Sequence, residues 1–342
     1  MPNYIKIFLD GYGGYASYVW HEITHPSWEN YFYWLIVVSL FFMCLEWLKP
    51  WRSNQAKFRK DFWLDAFYMF FNFFLFSIII YNAASDVVVN FFNYYVKEIT
   101  SIDLQALNPM STWPMWAILV IGFLVRDFVQ WWTHRLLHKS ERLWQFHKVH
   151  HSVQEMGVAA HLRYHWMETI VYRTIEYLPL AVLGIGLHDF FIIHVFTLAV
   201  GHYNHSNISI SGRVTGGILG GLIGILIAIS AFDIQLLNDP TIPIQLLTII
   251  GSGAIGYFGF GPGMKFVFNH PEMHIWHHAK SLPKEKRTGV NFGITLAIWD
   301  YIFGTVHMPY DGRDETLGFP GIEEFPNTFR GQVTYGFSSK SQ

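Results

Sequence analysis

The sequence predicts an all-α fold: a polytopic transmembrane helical protein with a cytosolic histidine-rich metal-binding cap. Three observations predict it. Of 342 residues, 51% are hydrophobic and only 14% charged, against roughly 25% charged in soluble domains. Apolar runs near the length needed to cross a hydrocarbon core of about 30 Å recur along the chain. Eight of the eighteen histidines fall into three tight clusters at helical spacing.

Taken in order, residues 1–30 hold one early lysine, several glycines and no compact apolar stretch, so they do not read as a cleaved signal. An interfacial segment is expected there, with Trp20 and Trp28 as aromatic anchors. The first apolar run is Tyr31 to Leu48 and the second Phe62 to Tyr81. A helix continuing from Asp61 through Tyr95 would extend about 50 Å and overshoot a bilayer, so a break is expected near Asn82 to Asp86. Further runs are Trp113 to Trp132, Ile170 to Leu187, Phe190 to Val200, Gly216 to Phe232 and Ile244 to Gly261. The last two form a hairpin over about 213–265, turning at Asp233, Asn238, Asp239 and Pro240. Gly216, Gly220 and Gly224 repeat at four, with Gly217 and Gly221 beside them, a small-residue stripe that admits a neighbouring backbone. One membrane domain over 31–308 and an irregular cytosolic tail over 309–342 complete the division.

Basic residues cluster at Lys49 to Lys60, at Arg135 to Lys148 and at Lys280 to Arg287, and such clusters stay on the cytoplasmic side. Counting crossings from Tyr31 places every histidine cluster on that one face. The expected location is integral and multi-pass, with the metal site cytoplasmic. A net charge of −2 without a basic stripe gives no reason to expect nucleic acid. The single cysteine, Cys44, rules out a disulfide framework or a cysteine metal site, leaving metal binding to histidine.

The clusters are His134 and His138 in HRLLH; His147, His150 and His151 in HKVHH; and His274, His277 and His278 in HIWHH. Intervals of three and four put imidazoles one turn apart on one helix face. A structural zinc takes four ligands and a catalytic zinc three, so eight argue for two metals or one very crowded site. Imidazole suits iron, zinc, copper or nickel alike. A pair of irons beside lipid would activate O₂ against an unactivated C–H bond.

The strings DFVQWWTHRLLH (Asp127 to His138), HKVHH, RYHWME (Arg163 to Glu168), HYNHSN (His202 to Asn207), PEMHIWHH (Pro271 to His278) and NFG with IWDYIFGT (Asn291 to Thr305) resemble the fatty acid hydroxylase and sterol desaturase superfamily. Those are membrane oxygenases and desaturases with a histidine-rich di-iron centre, and the resemblance covers about 115–308. It implies O₂-dependent hydroxylation or desaturation of a membrane lipid such as a sterol or fatty acyl chain. It also implies two iron ions and an external electron donor, through cytochrome b5, ferredoxin or tetrahydrobiopterin. Carried over, the implied ligands are His134, His138, His147, His150, His151, His205, His274, His277 and His278. His202 is a weaker candidate, because where some relatives carry a further ligand four residues before the position of His205 this chain has Gly201. The apolar hairpin stands where the family pattern has a short link, and Trp166 where the family often has proline.

Candidate outer groups are Asp127, two turns before His134, and the pair His165 and Glu168. A carboxylate at such a place orients a metal-bound imidazole, or simply caps a helix. Arg126 is a candidate partner for Asp127. The isolated histidines His21, His25, His161, His188, His194, His270 and His307 read as ordinary polar residues, and Asp300 as structural. A metal transporter or a haem-binding electron-transfer protein would also use histidine, but with sites inside the bilayer rather than at helix ends among lysines and arginines.

Overall fold

The computed structural model describes residues 2–27, 30–102, 112–183, 187–208, 211–231 and 241–337. Among them the regular structure is helical, with isolated bridges and no strands. Helix α1 (Tyr4–Thr24) opens at Asn3, whose side-chain oxygen accepts from the Lys6 amide at 3.1 Å. Asn30 does the same for α2 (Tyr31–Leu48) through the Tyr33 amide at 3.3 Å. Each cap satisfies one of the amides that a helix start leaves without a partner.

The expected break after Tyr81 is absent. Helix α3 (Phe62–Phe70), a π-helical stretch (Phe71–Tyr81) and α4 (Asn82–Thr100) run on as one helix from Phe62 to Thr100. The physical reason lies in α1, which packs along α4. A Cβ on Gly11 would sit 3.3 Å from the Ala83 Cα, the Tyr15 hydroxyl donates to Asp86 at 3.2 Å, and the Tyr4 and Phe91 rings lie 5.9 Å apart. Protein thus covers the polar stretch that would otherwise end the helix. Val19 of α1 is buried with Leu35, Phe73, Leu162 and Leu198, which ties the N-terminal helix into the core. Trp20 is exposed, whereas Trp28 lies outside the described residues.

Helices α5 (Met115–Lys139) and α6 (Glu141–His151) are joined by Ser140, whose hydroxyl accepts from the Leu143 amide. A 3₁₀ turn (Val158–Leu162) leads to α7 (Trp166–Leu183) and α8 (Leu187–His205). Then come α9 (Gly212–Ala231), α10 (Ile242–Ala254) with a π-helical extension (Ile255–Phe260), and the short α11 (Met264–Val267), α12 (Pro271–His277), α13 (Ile298–Ile302) and α14 (Phe329–Val333). Among the described residues, three helices are long and apolar enough to cross a membrane: Phe62–Thr100, Met115–Lys139 and Ile242–Phe260. Helices Phe32–Leu48 and Gly212–Ala228 are apolar but shorter.

The glycine stripe is the contact between α9 and the α10 hairpin arm. A Cβ on Gly220 would lie 2.3 Å from the Ser252 carbonyl oxygen, and one on Gly256 only 2.0 Å from the Gly216 carbonyl oxygen. Only hydrogen fits at those positions. The far side of this arm exposes Leu247, Ile250 and Phe258, as a lipid-facing helix would. The polar turn expected at 233–240 lies outside the described residues.

Loops gather at one end. Pro50 bridges Ile208, and the Asn207 carbonyl and side chain accept from the Trp51 and Arg52 amides at 3.1 and 2.7 Å. Glu46, near the end of α2, accepts from the amides of Asn207 and Val158. Trp51, Met156, Ile275, Trp276 and Leu317 share one buried cluster. The chain after α2, after α6, after α8 and around α12 therefore meets in one place. Residues 309–337, read from sequence as irregular, pack there: Leu317 bridges Ala279, and the Gly318 amide donates to the His278 carbonyl at 2.9 Å.

Candidate metal centre

Helix α5 brings His134 and His138 to its last turns, α6 carries His147, His150 and His151, α8 ends in His205, and α12 carries His274 and His277 with His278 at its end. Their imidazoles form two groups. His134, His138, His147, His151 and His277 make one, and His150, His205, His274 and His278 the other, each with ligand nitrogens within 4.8 Å of one another. Together they are the nine residues that the resemblance marks. The groups adjoin, since the His151 and His278 rings lie 4.4 Å apart.

Five of the nine are held by the far ring nitrogen. His134 Nδ1 donates to the Phe292 carbonyl at 2.8 Å, His150 Nδ1 to the Arg163 carbonyl at 3.0 Å, and His277 Nδ1 to the Val290 carbonyl at 2.7 Å. His147 Nδ1 meets Glu168 Oε2 at 2.7 Å, and His205 Nδ1 donates to the Gly201 carbonyl at 2.9 Å. A neutral imidazole that donates from Nδ1 leaves a lone pair on Nε2. Those lone pairs face each other: His134 and His147 approach Nε2 to Nε2 at 3.2 Å, His205 and His150 at 3.3 Å. Two acceptors cannot bond one another, so the contacts fit a cation between them. His277 Nε2 is buried without a hydrogen-bond partner, as a ligand atom would be. His274 differs, its Nδ1 lying 3.2 Å from the Asn269 amide nitrogen. Burial holds His147, His151, His277 and His278 well below the usual imidazole range and His150 at about 4. They stay neutral, the form that binds metal.

Two of the accepting carbonyls, those of Val290 and Phe292, belong to a loop fixed from below. Asp300 accepts from the Phe292 and Gly293 amides at 2.9 and 2.8 Å and from Trp131 Nε1 at 3.0 Å. Asn291, at φ 52°, gives its side-chain amide to the Met273 and His307 carbonyls and takes the His307 amide. Asparagine tolerates that left-handed conformation better than most residues. Gly289 needs glycine twice over: φ is 102°, and a Cβ would press on His138 Nδ1 at 2.8 Å.

The outer groups differ from expectation. Asp127 reaches no imidazole; it accepts from the Thr295 and Leu296 amides and from Trp299 Nε1 at 2.8 Å, bracing the same loop. Glu168 orients His147 rather than the His165 ring. His165 turns away, its Nε2 on the Val333 carbonyl at 2.8 Å. Arg126 pairs with Glu176, not Asp127. His202 belongs to neither group; its Nε2 meets Ser39 Oγ at 2.9 Å and its Nδ1 meets His161 Nδ1 at 2.9 Å. His161, which carries no ligand spacing in sequence, sits beside the second group with its ring 4.9 Å from His205. The one signal for it in the sequence is a distant glycine, Gly201, where a Cβ would fall 2.2 Å from His161 Nε2.

A cavity of about 160 Å³ opens onto both groups. Phe73, Leu162, Leu198 and Ile294 give it apolar walls, and Arg126, Gln130, Glu176 and Thr197 a polar end.

Residues 119–222 match the fatty acid hydroxylase family. The chain is 26% identical over 230 residues to the ornithine lipid hydroxylase OlsE of Rhizobium tropici, covering 67% of this chain and 53% of that protein. It is 36% identical over 73 residues to the very-long-chain aldehyde decarbonylase GL1-10 of Oryza sativa subsp. japonica, covering 21% of this chain and 22% of that protein. It therefore spans about half the length of the first relative and less of the second. No solved structure matches it.

Proposed function

We propose that the chain belongs to the fatty acid hydroxylase superfamily, whose model matches residues 119–222, and that it is an O₂-dependent membrane lipid hydroxylase holding two iron ions. The observation that carries this reading is the pair of imidazole groups with inward Nε2 lone pairs. His134, His138, His147, His151 and His277 would hold one iron, and His150, His205, His274 and His278 the other. Bound there, the irons would supply, with O₂ and electrons from a separate donor, the power to oxidise an unactivated C–H bond.

The chain's own part is positional. Backbone carbonyls and Glu168 select the Nδ1–H tautomer in five ligands and fix the ring planes, the usual task of groups behind metal-bound histidine. The apolar cavity walls exclude water and accept lipid, while the polar end from Arg126 to Glu176 can meet a polar part of the substrate. An ornithine lipid, named for the Rhizobium relative, is the first substrate to try. Basic residues at the metal-side end, among them Arg52, Arg135 and Lys280, support a cytoplasmic position for that end. The crowded groups suit metal ions better than haem, because five imidazoles around one point leave no plane for a macrocycle.

Lipid profiles of cells with and without the gene, grown under ¹⁸O₂, test the proposal. A labelled lipid that disappears on His150→Ala is expected. Loss of two hydrogens without gain of oxygen would indicate desaturation, and an unchanged profile or a label surviving His150→Ala would refute the assignment.

A further inference from the structure

The two groups are unequal, five imidazoles against four, and the structure offers a fifth for the smaller one. We propose that His161 is a ligand of the second metal, an inference that rests on the two-metal reading above. Its place is set by geometry. On α8, a side chain at 201 would stand one turn from His205, the arrangement that lets i and i+4 imidazoles share an ion. Residue 201 is glycine, and His161 Nε2 lies 2.2 Å from where its Cβ would be. An imidazole from the 3₁₀ turn therefore occupies the position next to His205, lining the cavity with His150, His205 and His274.

Hydrogen bonds decide which nitrogen is free. The Leu35 carbonyl can only accept, so the Ser39 hydroxyl, 2.6 Å away, gives it its proton. Ser39 Oγ must then accept from His202 Nε2 at 2.9 Å. Neutral His202 is left with a lone pair on Nδ1, which takes the proton of His161 Nδ1 at 2.9 Å. His161 Nε2 is left unprotonated, with no protein hydrogen bond among the described residues. This is the state that backbone carbonyls impose on His134 and His150, reached here through two side chains. His202 then acts behind the ligand instead of as one. The turn carrying His161 is itself pinned, Asn72 donating to the Leu162 and Tyr164 carbonyls at 2.9 and 2.8 Å.

The test is anaerobic Fe(II) titration of purified full-length protein, with X-ray absorption counting imidazoles per iron, on wild type and His161→Ala. Outer-group losses at metal sites cost about 10–100-fold in affinity, so loss of a ligand should weaken the second iron at least tenfold while the first is retained. Added imidazole should restore both affinity and nitrogen count by filling the vacated space. His161→Ala binding two irons as tightly as wild type would overturn the inference, as would loss of both irons that imidazole does not restore. Wild type binding fewer than two irons would instead refute the underlying two-metal reading.

Discussion

At the scale of single residues, Glu168 shows most plainly how a side chain acts through another. It is 3% exposed and its carboxylate bonds His147 Nδ1 at 2.7 Å, so Glu168→Ala should weaken metal retention about 10–100-fold. Chelator competition on the purified protein measures this, and an unchanged value would show that His147 needs no carboxylate behind it. The histidine clusters were legible because their spacing is local, set by the helical repeat. Glu168 was legible as an orienting carboxylate, but its partner was not: His165 is three residues away in sequence, whereas His147 lies on another helix. The place of His161 beside the second group was illegible for the same reason. Nothing near it in sequence carries ligand spacing, and the residue that makes room for it, Gly201, lies forty positions on.

Among the elements, the α9 and α10 pair was legible in one feature and opaque in another. Glycines at intervals of four signalled close approach, because every fourth residue returns to the same helix face. Which backbone atoms they meet depends on a partner helix that sequence does not specify. Gly256→Ala would set a Cβ 2.0 Å from the Gly216 carbonyl oxygen, a backbone atom with no freedom to swing aside. Such overpacking costs about 1–3 kcal/mol, which should lower the unfolding temperature in detergent. Gly251→Ala, in the same helix with nothing within 4 Å, should be neutral or slightly stabilising. Equal behaviour of the two variants would mean the hairpin is not packed through glycine. The long helix from Phe62 to Thr100 went unread because the support it receives comes from α1, distant in sequence, and no local signal marks that pairing.

On the scale of the whole molecule, apolar helices act as posts for a polar end built from their loops. The all-helical class was legible in composition, since low charge and long apolar runs leave few alternatives. The part played by 309–337 was not, because its hold on the site is through backbone groups that composition cannot reveal. The Lys280 amide donates to the Thr316 carbonyl, Trp276 Nε1 to the Tyr310 carbonyl and His165 Nε2 to the Val333 carbonyl. Asp127 and Asp300 add a second brace, tying the loop at 291–296 to α5 through the Thr295 amide and Trp131. The arrangement brings imidazoles from four separate helices into two adjoining groups. The most direct measurement is the iron content of purified protein together with its Mössbauer spectrum. Two irons per chain in imidazole-rich surroundings are expected, with His138→Ala and His150→Ala each depleting one of the two. One iron or none per chain, or two that both variants leave untouched, would contradict the account.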